Sequence, residues 1–175
     1  MPITPFHIIA VAPIKSFFPK YFSWSVFALT NIIIDTEVLY YLLTTNIPSH
    51  KFFHTIIGAS IIAIICSTLG KPVCEFGLRI WNDNLQNEKT MKNLVWLKTN
   101  KKITFVSSWC GAFTAAYLHL LLDSFVHFDI APLAPFTNQN YFLDMISIQN
   151  IYYICLGCFL IGSFIFFLKL INRKS

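Results

Sequence analysis

The sequence predicts an all-α fold, a polytopic membrane bundle of four transmembrane helices preceded by an N-terminal half-length helix. Three observations predict it. The 175 residues are 55% hydrophobic and only 12% charged, with a mean hydropathy of +0.60, whereas soluble domains carry about a quarter charged residues. The apolar residues gather into runs close to the ~20 that a spanning helix needs. Twelve of the 13 Lys and Arg residues fall on alternate connections between those runs, the pattern of the positive-inside rule. One membrane-embedded domain, 1–175, is expected.

The elements follow in order. TPFHIIAVAPIKSFF, residues 4–18, has Thr4 at an N-cap position and Pro5 at the first helical position, so it reads as a half-length helix bent at Pro13. The turn FFPKY then folds it back beside the first full span, 22–43. A second, shorter span covers 53–69. The connection 71–102 carries Lys71, Arg79, Lys89, Lys92, Lys98, Lys101 and Lys102, which places it on the cytoplasmic side. It is expected to include an interfacial amphipathic helix around VCEFGLRIW, with Trp81 and Trp96 at headgroup level. The third span is 103–125, an outer loop fills 126–150, and the last span is 151–171. Lys169, Arg173 and Lys174 then put the C-terminus in the cytoplasm, while Lys51 alone lies on the other side.

Other classes fit less well. The net charge of +5 is used for membrane orientation, so no nucleic-acid partner is expected; membrane lipid is. Residues 1–14 lack the basic opening and small-residue cleavage site of a secretory leader, so none is expected. Cys66, Cys74, Cys110, Cys155 and Cys158 form no disulfide pattern and read as small buried hydrophobes.

Depth along the helices brings chemistry together. With a rise of ~1.5 Å per residue, Asp35 falls in the outer part of the first span. His54 opens the second span, and His119 and Asp123 end the third. Reflecting residues 4–18 about Pro19 and Lys20 sets His7 level with about residue 33. All five histidines (His7, His50, His54, His119, His127) and four acids (Asp35, Glu37, Asp123, Asp129) lie near this one level. Unpaired, such groups are costly in lipid. His50 with His54, and His119 with Asp123, are spaced i,i+4, so each pair shares one face if helical. Imidazole and carboxylate ligands suit zinc, and also manganese or iron. Asp35 and Glu37, two residues apart, point about 200° apart on a regular helix, so one of them is expected to ligate. His50 and Asp129 also read simply as outer-loop residues.

The segments TPFH, IIDTE, HKFFHT, HLLLDS and APLAPF resemble motifs of a bacterial inner-membrane family of metal-dependent hydrolases, which includes a LexA-binding member. The resemblance covers residues 4–136. It implies functional roles for His7, Asp35, Glu37, His50, His54, Thr55, His119, Asp123 and Pro135, and a location in the bacterial inner membrane. Two departures stand out. Glu37 replaces an Asp, and His50 and His54 are one residue closer than the motif has them.

The function expected is therefore a membrane-embedded metal-dependent hydrolase. His7, Asp35, His54, His119 and Asp123 would hold one or two divalent ions, most simply zinc. Glu37 would act as general base, and His127 would donate a proton to the leaving group or orient a ligand. The outer position points to a lipid-derived or headgroup ester or phosphoester, with 126–150 as a lid. Two alternatives use the same residues: a small metal-ion or proton transporter, and a non-catalytic scaffold with a structural metal.

Overall fold

A computed structural model of the chain describes residues 4–87 and 98–172. Among the described residues the fold is all-helical: α1 Thr4–Ala10, α2 Ala12–Phe17, α3 Trp24–Thr45, α4 Ile56–Thr68, α5 Gly70–Asn87, α6 Phe105–Ser124 and α7 Ile148–Asn172. The side chains of Thr4 and Pro5 lie outside the described residues, as do Lys89, Lys92, Trp96, Arg173 and Lys174.

Three helices, α3, α6 and α7, are long and apolar enough to cross a membrane. The short span expected at 53–69 is the 13-residue α4, about 20 Å long against a hydrocarbon core of ~30 Å. A 50° bend joins it to α5, and the pair counts as a fourth span only if taken together. The faces of α5 explain its separate character. Val73, Phe76 and Ile80, with Leu69 just before the helix, form an exposed apolar stripe, while Lys71, Glu75, Arg79 and Asp83, four residues apart, form a charged row that winds alongside it. Lys71 pairs with Glu75 at 3.2 Å, and Lys101 with Asp83 at 2.9 Å.

The N-terminal segment breaks at Val11, two residues before the expected bend. Pro13 instead occupies the first turn of α2, where its missing N–H costs nothing. Ser16 Oγ donates to the Gly162 carbonyl at 2.8 Å, and Lys169 Nζ to the Ser16 carbonyl at 2.6 Å, so α2 lies along α7. Gly162 permits this, because a Cβ there would come within 2.5 Å of Ala12. Lys15 closes the turn that follows, donating to the Pro19 and Phe22 carbonyls at 3.0 and 2.7 Å.

α3, α4 and α6 form the central bundle around Val26, Ile34, Ala59, Ile62, Ala63, Cys66, Ala112 and Ala116. Small residues let the backbones close: a Cβ on Gly111 would sit 2.5 Å from the Ser23 carbonyl oxygen. Side-chain caps open the three helices. Ser23, Thr55 and Thr104 accept from the N–H groups of Val26, Gly58 and Ser107, satisfying donors that would otherwise be orphaned. α3 ends on Asn46 in the left-handed region, φ 57°, which Asn tolerates. α7 is peripheral, with Ile154, Leu160, Phe164 and Phe167 exposed as a lipid-facing helix requires.

Candidate metal centre

α3 and α6 start side by side, tied by the Ser23 N–H donating to the Ser107 carbonyl at 3.0 Å. Their i,i+4 pairs therefore meet: Asn31 and Asp35 from α3, His119 and Asp123 from α6. α4 brings His54 up against them. Thr55 fixes its position by accepting from Gly58 N and donating to the Phe52 carbonyl at 3.0 and 2.8 Å. The Ile56 N–H donates to the Pro132 carbonyl at 2.8 Å, tying the loop after α6 over the same place.

Asp35, His54, His119 and Asp123 each offer one donor atom, all within 4.8 Å of one another. His54 and His119 are fully buried and Asp123 nearly so. His119 Nε2 lies 3.2 Å from Asp35 Oδ1 and 3.1 Å from Asp123 Oδ2. Neither contact has the alignment of a hydrogen bond, and His119 Nε2 is buried without a hydrogen-bond partner. His54 Nε2 is in the same condition, 3.8 Å from Asp123 Oδ2. Donors that approach to this distance without pointing at one another resemble ligands around a common point. Bonds of about 2.0–2.1 Å at a tetrahedral angle set neighbouring donor atoms about 3.3 Å apart.

The other ring nitrogens are occupied. Asn31 Nδ2 donates to the Phe27 carbonyl at 2.9 Å, which turns its Oδ1 toward His119 Nδ1, also at 2.9 Å. An amide oxygen only accepts, so His119 Nδ1 carries a proton and Nε2 is the nitrogen left to face the two carboxylates. Glu37 Oε2 lies 3.1 Å from His54 Nδ1 and imposes the same tautomer. Burial holds the His54 imidazole below its ordinary pKa, against the opposing pull of Glu37, so it is neutral and free to ligate at pH 7. Partners of this kind orient the histidines of metal sites.

The sequence-derived residues are thus placed as follows. Asp35, His54, His119 and Asp123 converge. His7 stands beside them, with Nε2 3.2 Å from Asp123 Oδ1 and its ring 4.5 Å from that of His119. Glu37 sits behind His54 and also accepts the N–H groups of Lys51 and Phe53 at 2.9 and 3.1 Å. Asp35 and Glu37 both reach this region because Glu37 extends to the loop before α4. His127 and His50 pack ring on ring at 4.3 Å, and His50 pairs with Asp129 at 3.0 Å. Sequence reasoning missed Asn31 and Asn140. Asn31 is a polar residue one helical turn before Asp35 in an apolar span, which is a readable signal. Asn140 donates to the Ser124 and His127 carbonyls at 2.8 and 3.1 Å, fixing the end of α6; nothing in its sequence context marks it.

The chain matches no family model, no curated protein and no solved structure.

Proposed function

We propose that the chain is a membrane-embedded, metal-dependent hydrolase acting on a lipid-derived ester or phosphoester at the outer side of the bilayer. The observation that carries it is the convergence of His54 Nε2, His119 Nε2 and the Asp35 and Asp123 carboxylates, with both imidazoles turned by acceptors behind them. Buried imidazoles and carboxylates in an apolar bundle need a compensating cation, and this donor set suits zinc, with manganese or iron as other occupants. The reading agrees with what the resemblance to the inner-membrane metal-dependent hydrolases implies. The charge bias supports a four-span arrangement, with α4 as the short second span, α5 lying at the cytoplasmic interface and a cytoplasmic C-terminus.

Bound there, a divalent ion supplies Lewis acidity and lowers the pKa of water toward ~7. The protein holds and orients. Glu37 fixes His54 and ties down residues 51–53, a positioning role in place of the base role read from sequence. His7 Nε2 faces the second oxygen of Asp123 at 3.2 Å. Asp35, with a third of its side chain exposed, is the carboxylate of the group that meets water, and we assign it the transferred proton. Water oxygen joins the acyl carbon or phosphorus, the ester bond to the alkoxide breaks, and the proton passes to that alkoxide to leave an alcohol and an acid.

Transport is the reading the packing disfavours. The five imidazoles do form a file, with ring separations of 4.5, 5.4, 4.6 and 4.3 Å from His7 through His119, His54 and His50 to His127. Below it, Val26, Ala59, Ile62, Ala63, Ala112 and Ala116 close the bundle, and the buried hydroxyls there, on Thr30, Ser67 and Ser108, are spent on backbone carbonyls. A conduit would need polar groups through that depth. The test is hydrolysis of short-chain ester and phosphoester lipids by the protein in liposomes. Turnover that a chelator abolishes, zinc restores and His119→Gln lacks is expected; metal uptake into the liposomes without hydrolysis would replace this reading with transport.

A further inference from the structure

A second group of donors lies beside the first, on the two loops that cover it. His50 belongs to the connection between α3 and α4, and His127 and Asp129 follow α6. The His50 N–H donates to Asp129 Oδ2 at 2.8 Å, and its Nδ1 lies 3.0 Å from both oxygens of that carboxylate. Asp129 thereby fixes the His50 ring as Glu37 fixes His54. The His50 ring then packs 4.3 Å from His127 and edge-on, 4.6 Å, against His54.

We infer that His50, His127 and Asp129 hold a second divalent cation adjacent to the first, so that the centre takes two ions. This rests on the metal reading of the first group. Each of the three offers one donor atom, and these atoms lie within 4.8 Å of one another. Tetrahedral zinc sets its donors about 3.3 Å apart, so side-chain rotations draw the three inward onto one ion. Both loops are already fixed, by Ile56 N–H on Pro132 and by Asn140 on the His127 carbonyl. The two groups differ in a way that divides their work. The first supplies four donors, three of them buried; the second supplies three, and His127 and Asp129 are partly exposed. Three protein ligands leave an open position, so the second ion adds a place for substrate beside the water that Asp35 meets at the first. Neighbouring divalent ions stabilise the oxygens of a transferring phosphoryl group, so among the substrates above the phosphoester is the class this centre fits.

The test is zinc titration of the metal-stripped, detergent-purified full chain, read as bound equivalents. Two equivalents are expected for the wild type, and one for His127→Gln and for Asp129→Asn. The Asn amide oxygen can still accept from the His50 N–H, which preserves the tie between the loops, and an unchanged elution profile checks that both variants fold. One equivalent in the wild type, unaltered in both variants, overturns the second site and leaves the first standing. No bound zinc at all in a folded wild type removes both.

Discussion

His119 Nδ1 and Asn31 Oδ1 lie 2.9 Å apart in the buried seam between α3 and α6. Asn31 is itself held by its amide donating to the Phe27 carbonyl, so a neutral residue one turn before Asp35 sets which nitrogen of His119 faces the acids. Replacing Asn31 by Leu keeps a similar volume and removes the acceptor. Loss of such a partner costs about 10–100-fold in metal affinity. Competition for zinc against a calibrated chelator measures it, and an affinity equal to wild type would show that Asn31 only fills space.

Glu37 separates two roles. As the partner of His54, its change to Leu should weaken zinc affinity by about 10-fold or more, since the acceptor of the His54 Nδ1 hydrogen bond is lost. As a general base it would instead lower turnover by about 100-fold or more with zinc affinity unchanged. We expect the first pattern, from paired measurements of zinc affinity and turnover on the same preparation.

Gly58 marks where the loop carrying His54 meets α4. A Cβ there would run into the Phe52 carbonyl, whereas nothing lies near a Cβ on Gly77. Gly58→Ala should destabilise the protein by about 1–3 kcal/mol through overpacking and weaken metal binding with it. Gly77→Ala in α5 should be neutral or slightly stabilising, as a helical Gly-to-Ala change is. Thermal unfolding in detergent compares the two.

Acid should destabilise the metal-free protein in two steps. The folded pKa of His54 lies below its ordinary value, chiefly through burial. The unfolded chain therefore binds the extra proton first, and stability falls as pH drops below ~6.5. Burial would raise Asp129, but the His50 N–H and ring hold it below its ordinary value. Its contribution is present above ~3.9 and is lost as pH falls further. Melting temperatures between pH 8 and pH 3 read both, and His54→Gln should shrink the upper step, to which His127, also held below its ordinary value by burial, contributes the rest.

Much of this was legible from residue order alone, for identifiable reasons. The spans show because lipid demands long apolar runs, and His119 and Asp123 stand out because ionisable groups there need a cause. Asn31 was passed over because an uncharged amide in an apolar span carries a weaker signal than an ionisable group, though a readable one. The position of Glu37 was hidden: helical spacing turns it away from Asp35, and only the path of residues 51–53 shows what it meets. The bend between α4 and α5 falls at Leu69, where no proline stands; Pro72 lies within the first turn of α5, past the joint. The break at Val11 likewise precedes its proline by two residues.

The most direct measurement is the divalent-metal content of the detergent-purified protein beside that of the double variant His54→Ala, Asp123→Ala. At least one tightly held equivalent in the wild type, lost from a variant that still elutes as a folded protein, is the predicted result. A folded wild type without metal, or a double variant that keeps its full complement, would contradict the account.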